Sequence, residues 1–162
     1  VLTGDNYPHR IPMRNDEERL NVYNESGEDG LRGYLGTPEE IDFDRINKEL
    51  SEFKAGKDII EIKHMGREDG DISYDETDFT GIKVLILEWT HGGSEYLKGV
   101  DIPVFLESSP EETKARRIKR GRDENAASPF ICRVVELEQE KLDLQGKNAR
   151  IVVGKDGKVY EQ

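Results

Sequence analysis

Apolar residues along this chain gather into two kinds of segment, short runs with strand character and longer stretches with a helical repeat, separated by glycine, proline and acidic residues. Leu2 and Thr3 read as the end of a strand, and residues 14 to 23 as a short helix. A glycine-rich, acidic loop is expected from Asn24 to Gly36. Thr37-Pro38-Glu39-Glu40 carries the signals of a helix start: an N-cap hydroxyl, proline at the first helical position and a glutamate able to close a capping box. Phe43, Ile46, Leu50 and Phe53 follow at helical spacing until Gly56 stops the helix. Ile59 to Ile62 predicts a strand and Ile72 to Phe79 a second, weaker one. Val84-Leu85-Ile86-Leu87 is a continuous apolar run, which predicts a strand buried on both faces, as in a parallel sheet.

The later part repeats the pattern. Ile102 to Leu106 predicts a strand, Ser109 caps a helix ending near Arg120, and Ser128-Pro129 starts another that carries Val134, Val135, Leu137 and Leu142 towards Gly146. Ile151 to Val153 predicts a final strand, with Asp156-Gly157 as a hairpin turn. Strands alternating with helices predict one α/β domain around a mainly parallel sheet. Ligands of such sheets bind at the carboxyl ends of the strands. Asp5 and Glu88 each follow a predicted strand end, so this topology brings two carboxylates to one rim.

Composition narrows the function. Apolar residues make up 34% and charged residues 36%, and the apolar ones are clustered, which fits a folded core with long solvated faces. With 24 Lys and Arg against 35 Asp and Glu, net charge −11, a broad electrostatic grip on nucleic acid or an anionic membrane is not expected. The single Cys132 can form no internal disulfide and reads as a small core residue. No apolar run approaches a membrane span or signal peptide, so the cytoplasm is the default compartment. Against this acidic background five cations, Arg116, Arg117, Lys119, Arg120 and Arg122, fall within seven residues. Such a run points to phosphate: arginines can neutralise a phosphoryl group in transfer while a carboxylate takes the proton of an attacking hydroxyl. Each element also has a structural reading. Asp5 can cap a turn, Glu88 can end a strand in solvent, and a basic run can be a solvated helix face. Trp89 can fill core, and Pro8 and Pro12 can hold the loop bearing Tyr7, Arg10 and Arg14 in a structural turn. His64 and His91 lack the spacing of a structural metal site.

Taken in order, these segments resemble the uridine kinase and phosphoribulokinase branch of the P-loop kinases. Gly4-Asp5-Asn6-Tyr7-Pro8-His9-Arg10 is similar to the stretch after that family's second strand, where an aspartate followed by an aromatic residue receives the substrate's proton. Pro38 to Lys57 resembles the helix crossing the substrate side, Val84 to Glu88 the strand ending in an acid near the metal, Asp101 to Leu106 the next strand, and Arg116 to Asp123 a helix and arginine lid. The resemblance implies a three-layer kinase-like domain over residues 1–162, with a lid region at 116–128, using ATP and magnesium. It implies Asp5, Glu88 and Arg117 as catalytic residues, with Asp5 and Glu88 also at the metal. Tyr7, Arg10, Arg14, His64, Arg67 and His91 would face a nucleoside or sugar acceptor, and Arg116, Arg120 and Arg122 would meet ATP.

Three departures qualify it. No Gly-x-x-x-x-Gly-Lys-Ser/Thr string occurs in the chain, so the first strand, phosphate loop and first helix are expected to belong to an upstream segment. Trp89 follows Glu88 where the family has glycine. Gly36 stands where uridine kinases carry a ribose-binding aspartate, and Lys63-His64 replaces an aromatic segment at the base, so a sugar or another small alcohol is as good a candidate acceptor as uridine. Kinase modules attached to sugar-processing enzymes are among the relatives this implies. A non-catalytic kinase-like binding or regulatory domain is the alternative, and a homo-oligomer stays open.

Overall fold

The computed structural model describes residues 1–120 and 128–162, apart from the side chains of Pro110, Lys114, Arg117, Ile118 and Arg120. It is a mixed α/β structure with small sheets, and it divides into two compact units, Val1–Asp101 and Ile102–Gln162. No helix among the described residues is long and apolar enough to cross a membrane.

The first unit begins with β1 (Leu2–Thr3), a 3-10 turn (Gly4–Asn6) and helix α1 (Pro12–Tyr34). Helix α2 (Phe43–Lys54), strands β2 (Ile59–Met65) and β3 (Ile72–Asp78), and the short strand β4 (Leu87–Glu88) complete it. β1 and β4 are parallel, with Leu2 opposite Leu87 and Thr3 opposite Glu88. β2 and β3 form an antiparallel hairpin from Ile59 opposite Asp78 to Met65 opposite Ile72. The core joins these parts. Tyr7, Ile41, Phe43, Ile46 and Leu50 pack with Leu85, Leu87, Trp89 and Leu97, while Leu2, Ile60 and Ile62 pack with Phe53, Phe79 and the same two leucines.

Helix α2 follows its sequence pattern, with Phe43, Ile46, Glu49 and Leu50 turned inward, but its start differs from the expected one. Asp42 is the N-cap, accepting from the Arg45 amide at 3.0 Å. Thr37 instead closes the preceding helix: its hydroxyl donates to the Tyr34 carbonyl at 2.7 Å. The expected loop from Asn24 to Gly36 is also corrected, because α1 continues to Tyr34 across a break at Gly27 (φ 66°, ψ −162°). Leu31 and Tyr34 bury one face of this second part, and Arg32 reaches back to Glu28 and Asp29. Three interspersed glycines hid that periodicity. In Val84 to Leu87, only Leu87 belongs to a paired strand; Leu85 and Leu87 face the core, whereas Val84 and Ile86 are 74% and 58% exposed. The run is therefore covered on one face rather than both.

The second unit contains β5 (Val104–Leu106), α3 (Pro110–Arg120), α4 (Pro129–Gly146), β6 (Ile151–Val153) and β7 (Val159–Glu161). β6 pairs in parallel with β5 and antiparallel with β7. Both helix starts match the sequence. The Ser109 hydroxyl accepts from the Glu112 amide at 3.3 Å while Glu112 accepts from the Ser109 amide at 2.9 Å, a complete capping box. Ser128 accepts from the Ile131 amide at 3.2 Å, and Ile131, Val134 and Leu137 form the buried face of α4. Gly157 takes the turn between β6 and β7 with φ 77°. β7, exposed throughout, is the second arm of the hairpin turn expected at Asp156-Gly157.

Candidate active site

The parallel register of β1 and β4 fixes the geometry of the site. Because Thr3 lies opposite Glu88, the chain leaves β1 at the same end of the pair where β4 finishes, and Asp5 follows within the 3-10 turn. Asp5 and Glu88 thus stand at one rim, as the sequence led us to expect. Both are exposed, and neither makes a hydrogen bond or ion pair among the described residues.

The residue before Asp5 and the residue after Glu88 lock the rim. Trp89 lies against Gly4 so closely that a Cβ on Gly4 would fall 1.7 Å from the indole Cγ. The same indole packs against Tyr7, Phe43 and His91. Trp89 is thus accommodated by a glycine just past the facing strand end. His91 is buried and does the equivalent at Gly36, where φ is 66° and a Cβ would lie 2.9 Å from the imidazole. A side chain at position 36 would therefore meet both a strained backbone and the ring.

The remaining sequence-derived residues are distributed unevenly. Tyr7 is wholly buried, and its hydroxyl donates to Glu49; burial first, then that hydrogen bond and the Glu49 charge, push its phenol far above the usual range. Arg10 reaches the Tyr34 hydroxyl at 3.4 Å and Glu18 at 3.6 Å. Arg14 forms a two-point pair with Asp69 at 3.1 and 2.6 Å and also contacts Glu17. It therefore ties the start of α1 to the turn between β2 and β3. His64 is exposed on β2, 4.0 Å from Asp75, and Arg67 is exposed in that same turn. Arg116 is exposed on α3 in the second unit. The side chains of Arg117 and Arg120, and Arg122 altogether, lie outside the described residues.

Two buried polar clusters beneath the rim were not singled out from the sequence. In one, Glu49 accepts from Tyr7, from Arg45 at 2.6 Å and from the Lys63 amide at 3.1 Å. The Lys63 ammonium, itself buried, donates to the Pro8 carbonyl at 2.9 Å and lies 3.8 Å from Asp42. Burial holds this ammonium below the usual lysine range, against the attraction of Asp42. In the other cluster Glu40 accepts from Arg19 at 2.6 Å, from Asn15 at 3.0 Å and from the Gly36 amide at 2.6 Å. Burial raises its carboxyl, but Arg19 and these hydrogen bonds outweigh burial and leave it below the usual range. An acid at the inward-facing position 49 of an amphipathic helix was a readable signal for the first cluster. Lys63 gave none, since it sits on the strand face opposite Ile62.

Among the described residues no group of three or more His, Cys, Asp or Glu comes together. Two exposed carboxylates at one rim nevertheless match magnesium, which takes one or two carboxylates and completes its shell with waters and phosphate oxygens. No family model matches the chain. Over 162 residues, all of its length, the chain is 74% identical to a bifunctional alpha-galactosidase/sucrose kinase of Mediterraneibacter gnavus, and it spans 17% of that protein.

Proposed function

We propose that this chain forms the acceptor-side part of a sugar kinase of the P-loop type, which transfers the γ-phosphoryl group of ATP to a hydroxyl of sucrose. The observation that carries the reading is the pairing of Asp5 and Glu88 at the carboxyl end of β1 and β4. Asp5 takes the proton of the attacking sugar hydroxyl as its oxygen bonds to phosphorus, and ADP leaves with the γ–β bridging oxygen. Glu88, with Asp5, would hold magnesium, which supplies charge neutralisation at the phosphates. The cations Arg116, Arg117, Arg120 and Arg122 have the chemistry to neutralise ATP phosphates, the role the kinase resemblance gives them.

The name of the M. gnavus relative covers two activities, and a pair of carboxylates serves either hydrolysis of a sugar or phosphoryl transfer to one. Five cations within seven residues, in a chain of net charge −11, favour the second for this stretch, because sugar hydrolysis develops no phosphate charge to neutralise. The phosphate-cradling loop, for which the 162 residues carry no motif, would be supplied by another segment of the natural polypeptide. The product of the complete reading frame, given ATP and sucrose, should form ADP and sucrose phosphate in equal amounts. ATP binding without transfer to sucrose, glucose or uridine would instead favour a regulatory domain that has kept the fold.

A further inference from the structure

Asp5 is held by nothing of its own. Its carboxylate makes no hydrogen bond among the described residues, and Thr3, which precedes the turn, provides no side-chain cap. The residues immediately after it are fixed from several directions. The Asn6 side chain accepts from the Met65 amide at 3.3 Å, the Tyr7 hydroxyl donates to Glu49, and the Tyr7 carbonyl accepts from the Asp42 amide at 2.8 Å. The Pro8 carbonyl accepts from Lys63 at 2.9 Å, and the His9 amide donates to the Glu40 backbone carbonyl at 3.0 Å. An exposed carboxylate with no partner of its own, on a chain fixed by the residues that follow it, is placed at the rim while its oxygens stay open to a substrate hydroxyl.

Burying an ammonium whose nearest carboxylate is 3.8 Å away is poorly explained by stability alone. An apolar side chain of similar length would fill the same space without desolvating a charge. We infer that Lys63 and Glu49 are positioning residues for Asp5: from β2 and α2 they hold the Pro8 carbonyl and the Tyr7 hydroxyl, and so fix the chain that carries Asp5 at the rim shared with Glu88. This inference rests on the base role proposed above.

The test is a double-mutant cycle on the product of the complete reading frame, using radiolabelled ATP so that slow turnover is measurable. Lys63→Met should lower kcat by roughly 10- to 100-fold, the scale of a small misplacement of a reacting group. KM for ATP and for sucrose should stay within about twofold. In an Asp5→Ala background the same change should cost less than about threefold, because the group it positions is gone. A merely structural role would cost the same factor in both backgrounds; that result, or an unchanged kcat in Lys63→Met alone, would overturn the inference. If Lys63→Met does not fold, Tyr7→Phe removes only the hydroxyl bonded to Glu49 and is read the same way. Full turnover by Asp5→Ala would overturn the base role and this inference together, whereas a strongly slowed Asp5→Ala in which Lys63→Met costs the same factor as in wild type would overturn the inference alone.

Discussion

Gly4 lacks a side chain where Trp89 has taken the space, and this single contact joins the residue before one rim carboxylate to the residue after the other. Gly4→Ala should therefore force the indole to move and cost about 1–3 kcal/mol in urea unfolding, the usual range for overpacking. Glu40, the most deeply enclosed carboxylate of the first unit beside Glu49, gives a second test. Its folded-state pKa is depressed, so its contribution to stability is present above its ordinary value of about 4.5 and is lost as pH falls through the folded value. Glu40→Gln should be less stable than wild type at pH 7 by about 1–3 kcal/mol, since Arg19 keeps its contact with Asp16 at 3.5 Å. The gap should narrow on acidification, and a constant gap between pH 7 and pH 3 would contradict this account. These buried clusters were largely invisible in the sequence, because they bring Glu40, Glu49 and Lys63 against partners 14 to 55 residues away. Asp5 and Glu88 were legible because strand ends announce their neighbours.

At the scale of elements, the helix and strand signals that survived were those with local chemistry behind them. Ser109 and Ser128 cap where they were expected to, and Gly56 and Gly157 turn the chain with positive φ. Where local chemistry was ambiguous, the structure chose differently. Thr37-Pro38-Glu39-Glu40 has the letters of a helix start, but Glu40 is drawn inward by Arg19 and Thr37 is spent on the end of α1. The hairpin of β2 and β3 shows a related long-range tie, since Asp69 at its turn is held by Arg14 at the start of α1. Asp69→Asn should leave global unfolding essentially unchanged while speeding amide exchange at residues 66–71. Equal protection in both proteins would mean that the pair does not hold the turn.

Among the described residues the sheets are small, and parallel pairing is seen for β1 with β4 and for β5 with β6. Val84, Ile86, Val104 and Leu106 are exposed on or beside them. The order of segments was readable from the alternation of periods, whereas the extent of each sheet was not, because strand pairing depends on residues far apart in the chain. The functional account reduces to one claim, that Asp5 is the base of a phosphoryl transfer from ATP to a sugar hydroxyl. The direct measurement is kcat for sucrose phosphorylation by wild type and Asp5→Ala in the product of the complete reading frame, alongside the Kd for ATP. The account predicts a loss of about 10²- to 10⁴-fold in kcat, the range for removing a general base, with the ATP Kd within about twofold. Turnover by Asp5→Ala within tenfold of wild type would contradict it.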